Sequence, residues 1–274
     1  MNHMVKKHLN IWKYDGQTIR KTEDCAAVEF PFTIYIDGEE FATAVCSPTD
    51  LEQLAVGFLA SEGIIRQMDD LDSLDIDQAR GFAYAALKRK QTISKEFYSK
   101  RMIGSCCGKS RQFYFYNDAK TAKTVMSKQQ ISISQCFRLM ADLQTQSEDF
   151  LLTGGVHNAA LCTADDIVVS FSDIGRHNAL DKIYGYCLMN HVPLHDKIIA
   201  FSGRISSEIV LKAAKIGVGI LISKSAPTTL GISLAEDLGI TAIGFVRKNQ
   251  LNIYSHPHRI IEAADDLEED ATTK

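Results

Sequence analysis

The sequence predicts a mixed α/β protein: a mixed sheet flanked by helices, preceded by a smaller β-rich portion. Three observations carry this. From about residue 167 onward, short apolar strands alternate with amphipathic helices, the pattern of an α/β sheet with some parallel pairs and right-handed crossovers. Residues 8–46 instead alternate apolar and other residues around two Asp-Gly pairs, Asp15-Gly16 and Asp37-Gly38, which are hairpin turn signals. A polar link around 117–130 separates the two textures. The expected organisation is a β-rich portion over 1–125, an α/β domain over 126–258 and an acidic tail over 259–274.

Taken in order, Val28, Phe30, Phe32, Ile34 and Ile36 alternate before the second turn, as one strand of a half-buried hairpin does. A helix follows. Ser47 suits its N-cap, Pro48 its first position, and Asp50 its positive end. Leu51, Leu54, Ala55, Phe58 and Leu59 fall on one face, and Gly63 can end it. Residues 64–80 read as loop with a short strand, 82–87 fit either strand or helix, 91–103 show no clear pattern, and 111–116 read as an aromatic strand. A helix over 134–146 turns Phe137, Met140 and Leu143 inward. Strands are then expected at 167–171, 197–201, 218–222 and 241–245, with helices at 175–189, 206–216 and 227–238. An edge strand is expected at 251–254. The acidic end, Glu262 included, is expected to fray.

Composition narrows the function. A chain of 274 residues with 45% hydrophobic and 23% charged residues is that of an ordinary globular protein. A net charge of −4 gives no sign of a nucleic-acid partner. No apolar run reaches membrane-spanning length, and the lysines near the N-terminus precede no hydrophobic segment, so no signal peptide is expected. Seven scattered cysteines fit a cytoplasmic protein with reduced thiols.

Chemistry concentrates at Gly104-Ser105-Cys106-Cys107-Gly108-Lys109-Ser110-Arg111. Lys and Arg lower a nearby thiol's pKa, and the thiolate is the nucleophile. Flanking glycines permit a tight turn that leaves sulfur accessible. The plain alternative is two small residues in a turn. A P-loop does not fit, because Ile103 stands where its first glycine belongs. A zinc site lacks a second cysteine pair at ligand spacing.

In the second half, residues 153–159 form a small, flexible stretch with His157. Residues 173–182 gather Asp173, Gly175, Arg176, His177, Asn178, Asp181 and Lys182 where a helix begins. Such a place is an anion or nucleotide site, or simply a hydrogen-bonded cap. Two further turns, 201–204 and 223–228, also lead from an apolar strand into a helix. In open α/β sheets, ligands bind outside the carboxyl ends of strands. Neither a dinucleotide-fold fingerprint nor a zinc-deaminase motif is present.

Together these segments resemble the formate dehydrogenase accessory sulfurtransferase family, FdhD, from about Glu29 to Tyr254. The likeness runs through 47–50, 61–63, the cysteine loop, 153–157, 175–178, 202–206, 225–228 and 244–247. The resemblance implies a sulfur carrier that takes persulfide sulfur from a cysteine desulfurase. It passes that sulfur to the bis(molybdopterin guanine dinucleotide) molybdenum cofactor, bound as substrate, before insertion into formate dehydrogenase. It also implies a homodimer and a cytidine-deaminase-like core without zinc or any other metal held by protein ligands. Aligned on the family's C-G-x-C loop, Cys107 takes the first cysteine's place as the persulfide carrier, Ser110 takes the second's, and Cys106 is extra. The segment corresponding to Phe245, Val246, Arg247, Lys248, Asn249 and Gln250 would bind the guanine dinucleotide. Relatives tend to carry an acidic pair before the Gly-Arg-His, where this chain has Ser172-Asp173. The rival readings are a non-catalytic cofactor-binding chaperone and a general thiol oxidoreductase using Cys106 and Cys107.

Overall fold

The computed structural model describes residues 5–89, 102–103 and 124–264. The cysteine loop at 104–111 and the expected aromatic strand at 111–116 lie outside the described residues.

The N-terminal elements are β-rich. Strands β1 (Lys6–Tyr14) and β2 (Ile19–Ala27) form an antiparallel ribbon. Its turn is held by the Asp15 carboxylate, which accepts from the Gln17 and Thr18 amides at 3.1 and 2.9 Å. Strands β3 (Phe30–Ile36) and β4 (Glu39–Cys46) form the second hairpin. Asp37 and Gly38 both have positive φ, 51° and 86°, which a tight hairpin turn matching the strand twist requires. With β5 (Leu71–Asp77), β6 (Phe82–Leu87) and β7 (Met102–Ile103) they make a sheet of order β5-β6-β3-β4-β7. Segment 82–87 is therefore a strand: Thr33 to Ile36 of β3 give it a parallel partner, which its own sequence cannot reveal.

Helix α1 (Leu51–Ser61) covers this sheet, burying Leu51, Leu54, Ala55, Phe58 and Leu59 as expected. Its start differs from the expectation. Asp50, at φ 53°, occupies the N-cap without a side-chain cap. Ser47 is diverted to a tertiary contact: its amide donates to Asp173 Oδ2 at 3.1 Å, and its hydroxyl accepts from the Ile174 amide at 3.2 Å.

The remaining chain is α2 (Ile133–Thr145), α3 (Glu148–Thr153), β8 (His157–Cys162), β9 (Ile167–Asp173), α4 (Arg176–Met189), β10 (Ile198–Phe201), α5 (Ser207–Ile216), β11 (Ile220–Ser223), α6 (Thr229–Asp237), β12 (Thr241–Arg247) and β13 (Gln250–Ile253). The six strands order as β13-β12-β11-β10-β8-β9. The β10-β11 and β11-β12 pairs are parallel, while β8 is antiparallel to both its neighbours. Alternation along the strands builds two cores. Ala159, Leu161, Ile199, Phe201, Leu221 and Ala242 face α4, α5 and α6. Ala160, Cys162, Ile198, Ala200, Ile220, Ile222 and Ile243 face Cys136, Leu139, Met140 and Leu143 of α2. The stretch read as flexible at 153–159 is ordered: α3 ends at Gly154, φ 61°, and His157 opens a central strand. Glu262 is not frayed either. Both its carboxylate oxygens accept from the Ile133 amide at the start of α2, at 3.1 and 3.0 Å, and the neighbouring Arg259 and Ile260 are buried. Among the described residues no helix is long and apolar enough to cross a membrane.

The two sheets are joined where α1 crosses α4. A Cβ on Gly57 would stand 1.7 Å from the Asp181 carbonyl oxygen, and one on Gly185 would stand 1.9 Å from that of Gln53. The backbones touch because neither residue has a side chain. Ion pairs wholly inside the protein flank the crossing. Lys182 Nζ lies 2.8 Å from Asp173 Oδ2, both side chains fully buried. Lys212 pairs with Asp181, which also accepts from the Ser61 hydroxyl at 2.6 Å. Gly57→Ala and Gly185→Ala should each lower stability by roughly 1–3 kcal/mol, the usual cost of overpacking, or more because the obstacle is backbone. Thermal denaturation should show a fall of several degrees in Tm. Lys182→Met should cost more, about 3–5 kcal/mol, because it leaves Asp173 buried without its cation.

Candidate functional site

The sheet directions decide where the polar turns meet. Because β9, β10, β11 and β12 run the same way, their carboxyl ends share one edge with the start of β8. All the polar turns singled out in the second half of the sequence gather there, where ligands of α/β sheets bind.

The turns are tied to one another by main-chain hydrogen bonds and by the Ser202 and Ser223 hydroxyls. The Ser202 amide donates to the Asn158 carbonyl at 2.9 Å, and the Asn158 amide donates to Ser202 Oγ at 2.9 Å. Ser223 Oγ donates to the Gly203 carbonyl at 2.7 Å. The Ile205 amide donates to the Ala226 carbonyl at 3.1 Å, and the Phe245 amide to the Ser225 carbonyl at 3.1 Å. Gly203 lies so close to the Phe201 ring, 2.8 Å for an added Cβ, that a side chain there would force the turn open.

Not every predicted polar residue lies open at this edge. Asp173 receives Gly175 N, Asn178 Nδ2, Ser47 N and Lys182 Nζ. Asn178 also donates to the Val45 carbonyl at 2.9 Å. Asp173, Asn178, Asp181 and Lys182 are thus internal struts between the two sheets. Arg176, His177, His157 and Arg204 are partly or largely exposed. His177 Nε2 lies 2.7 Å from Glu208 Oε2, bridging the first turns of α4 and α5. Burial first, and the positive charge of Arg176 second, hold the His157 imidazole below the ordinary histidine value, with Asp173 opposing.

At the other end of the same edge lies a groove of about 610 Å³ between α2 and the β12–β13 hairpin, within the size range of small-molecule sites. Phe137, Met140 and Val246 give it apolar surface, and Arg138, Gln144, Lys224, Arg247 and Lys248 give it polar groups. Val246 is buried against α2, whereas Phe245, Arg247, Lys248, Asn249 and Gln250 are exposed. Phe245 and Lys248 take positive φ, 54° and 50°, and the ladder is irregular between Gly244 and Arg247. This bulge re-aims the side chains, as bulges near sites do. Arg247 Nε donates to the Lys224 carbonyl at 3.0 Å, and its guanidinium lies 5.7 Å from the centre of the Phe245 ring. Lys224 Nζ donates to Gln144 Oε1 at 2.7 Å, tying the hairpin side to α2. The α2 side of the groove escaped the sequence reading. Its one signal was the amphipathic pattern that turned Phe137 and Met140 inward.

The described cysteines separate clearly. Burial pushes the Cys136, Cys162 and Cys187 thiols up to about 12, and burial with the Asp173 charge raises Cys46 as well. None of these four suits thiolate chemistry at neutral pH. Cys25, on the β1–β2 ribbon, is half-exposed. Cys106 and Cys107 lie outside the described residues. Among the described residues no group of three or more His, Cys, Asp or Glu is placed to hold a metal ion.

A mixed α/β sheet with a groove lined by basic and apolar side chains at its carboxyl edge belongs to the class of α/β folds whose ligand sites lie at that edge. Comparison with known proteins sharpens this. The profile of the FdhD/NarQ family matches residues 27–261. Sulfur carrier protein FdhD of Halalkalibacterium halodurans is 58% identical over 263 residues, covering 95% of this chain and 97% of the relative. Sulfur carrier protein FdhD of Bacillus subtilis is 53% identical over 262 residues, covering 96% and 100%. A crystal structure described as a formate dehydrogenase accessory protein, from Desulfotalea psychrophila, superposes with TM-score 0.77 over 94% of this chain and 100% of that one, at 22% identity, and so shares the fold. The chain belongs to the FdhD/NarQ family.

The His157 environment has a measurable signature. Its imidazole should titrate below the ordinary value of about 6.5, and Arg176→Ala should raise it, both read by NMR titration. The sign for stability follows from linkage. Above the ordinary value, folded and unfolded states are both neutral and pH has no effect through this group. As pH falls through that value, the unfolded state takes up the proton first, so stability is lost until the folded imidazole also protonates.

Proposed function

We propose that the protein is a sulfur carrier, a sulfurtransferase that accepts sulfur as a persulfide on Cys107 and passes it to a molybdenum cofactor. The cofactor is bis(molybdopterin guanine dinucleotide), and the recipient enzyme is formate dehydrogenase. The reading draws on family membership and on relatives named sulfur carrier protein FdhD. The observation that carries it is the groove beside Phe245–Gln250, in which exposed cations stand next to apolar surface. A guanine dinucleotide needs that combination: charge-assisted donors for the diphosphate and flat apolar surface for the base.

In the loading step, the Cys107 thiolate attacks the outer sulfur of a persulfide on a cysteine desulfurase. A new S–S bond forms at Cys107, the donor's S–S bond breaks, and the donor leaves as a thiol. Lys109, two residues after Cys107 in the sequence, would favour the thiolate. The four buried thiols stay protonated and do not compete. On this reading the cofactor is held as substrate at the sheet edge while its sulfur arrives from the loop. The desulfurase and formate dehydrogenase are then the protein partners, and the cytoplasm is the compartment.

Incubation with a cysteine desulfurase and cysteine should add the mass of one sulfur to the peptide containing Cys107. Cys107→Ser should abolish that gain and Cys106→Ser should largely keep it. Cofactor binding without any gain would favour a chaperone. Separately, Arg247→Ala should weaken GDP binding, measured by calorimetry, by about 1.5–3 kcal/mol. Wild-type protein that gives no heat and no thermal shift at millimolar GDP would remove the groove from the proposal.

A further inference from the structure

Most residues of the β1–β2 ribbon are exposed or half-buried among the described residues. Among the described residues its two strands pair only with each other, and a lone two-stranded hairpin is marginal in water. Near the tip, Trp12, Tyr14 and Ile19 are 69, 66 and 66% exposed. Tyr14 stands opposite Ile19, and Trp12 is two residues along the same strand, so all three project from one surface of the ribbon. Apolar side chains grouped in this way mark a surface that something covers.

Charge indicates what covers it. β1 carries Lys6, Lys7 and Lys13 and no carboxylate. β5 is the outer strand of the five-stranded sheet, paired among the described residues with β6 alone. It carries Asp72, Asp75 and Asp77 and no basic residue. Lys6 is already bound to Glu148 at 2.8 Å and Asp77 to Arg80 at 2.5 Å, which leaves Lys7 and Lys13 on one edge and Asp72 and Asp75 on the other. Charged edges resist pairing with their own kind. Two β1 edges would set Lys against Lys, and two β5 edges Asp against Asp. A β1 edge against a β5 edge meets no such barrier: Lys7 and Lys13 lie six residues apart and Asp72 and Asp75 three, so a register sets at most one Lys directly against one Asp across the ladder and none sets like charges together.

We propose that β1 of one copy of this chain adds to the β5 edge of a second copy, and reciprocally. The exchange of arms closes a two-fold dimer, because the same contact is made twice. Main-chain hydrogen bonds of the two edges supply the pairing, and the ribbon gains a third strand. Trp12, Tyr14 and Ile19 then lie at the contact instead of in water. The homodimer expected from the family resemblance specifies no interface, so the two statements fail separately.

The first test uses the wild-type chain. Equal amounts of 14N- and 15N-labelled protein are mixed and treated with a carbodiimide, which joins contacting Lys and Asp side chains. Mixed-isotope peptides joining Lys7 or Lys13 to Asp72 or Asp75 are expected, and their absence overturns the pairing. The second test is sedimentation of charge-reversed chains, with circular dichroism confirming the fold. Lys7→Glu with Lys13→Glu should weaken association at least tenfold, as should Asp72→Lys with Asp75→Lys. An equimolar mixture of the two double variants brings reversed β1 arms against reversed β5 edges and should restore association. Raising salt from 50 to 500 mM should weaken the wild-type dimer, since exposed charges are screened. A wild type that is monomeric at 100 µM overturns the proposal. So does a dimer that the reversals leave unchanged, which would keep the dimer and refute this interface. Loss of association without recovery in the mixture refutes the pairing of β1 with β5.

Discussion

The close crossing of α1 and α4 is the constraint on which the rest depends. Two glycines, Gly57 and Gly185, bring helix backbones into direct contact between elements well over a hundred residues apart in sequence. Beside that contact, residues of β9, α4 and α5 form a buried interior. The ion pairs Asp173–Lys182 and Asp181–Lys212 occupy it. Buried ions are costly to desolvate and do not by themselves add stability. Their effect is positional, because each charge is neutralised in one register of the helices and stranded in any other.

That register sets the carboxyl edge of the six-stranded sheet. Asp173 ends β9 and binds Ser47 from the other sheet, so the start of α4 is fixed from both sides. Arg176, in the first turn of that helix, is thereby placed beside Gly203 and within electrostatic reach of His157. From there the chain of bonds through Ser202, Ser223, Ala226 and Ser225 carries the positioning across to Phe245 and the groove. Helix α2, on the opposite face, closes the groove through Gln144 and Lys224. One sheet edge thus combines apolar surface and cations without a metal-binding group among the described residues.

The same logic sorts the cysteines. Where the fold is most tightly packed, thiols are pushed toward the protonated form and serve as small apolar fillers. None of these four thiols is therefore suited to thiolate chemistry at neutral pH.

The sequence by itself determined what depends on neighbours along the chain. The Asp37-Gly38 hairpin, the buried face of α1, the strand–helix alternation after residue 167 and the polar turns were legible because turn chemistry and amphipathic period are local. The tertiary structure decided what depends on distant partners. Ser47 has a helix cap's chemistry, yet Asp173 and Ile174 claim it. Segment 82–87 is a strand because β3 lies beside it. His157, in a glycine-rich stretch, opens a central strand because β9 and β10 flank it. The motif at 173–182 reads as an anion site or a hydrogen-bonded cap, and packing divided it into buried struts and a half-buried Arg176 and His177. Gln144 and Phe137 joined the groove only because the strand order brings β12 under α2. A burial pattern or a hydrogen bond across more than a hundred residues, such as Ser47 to Asp173, leaves no periodic trace in the chain, so only the folded structure could assign those roles.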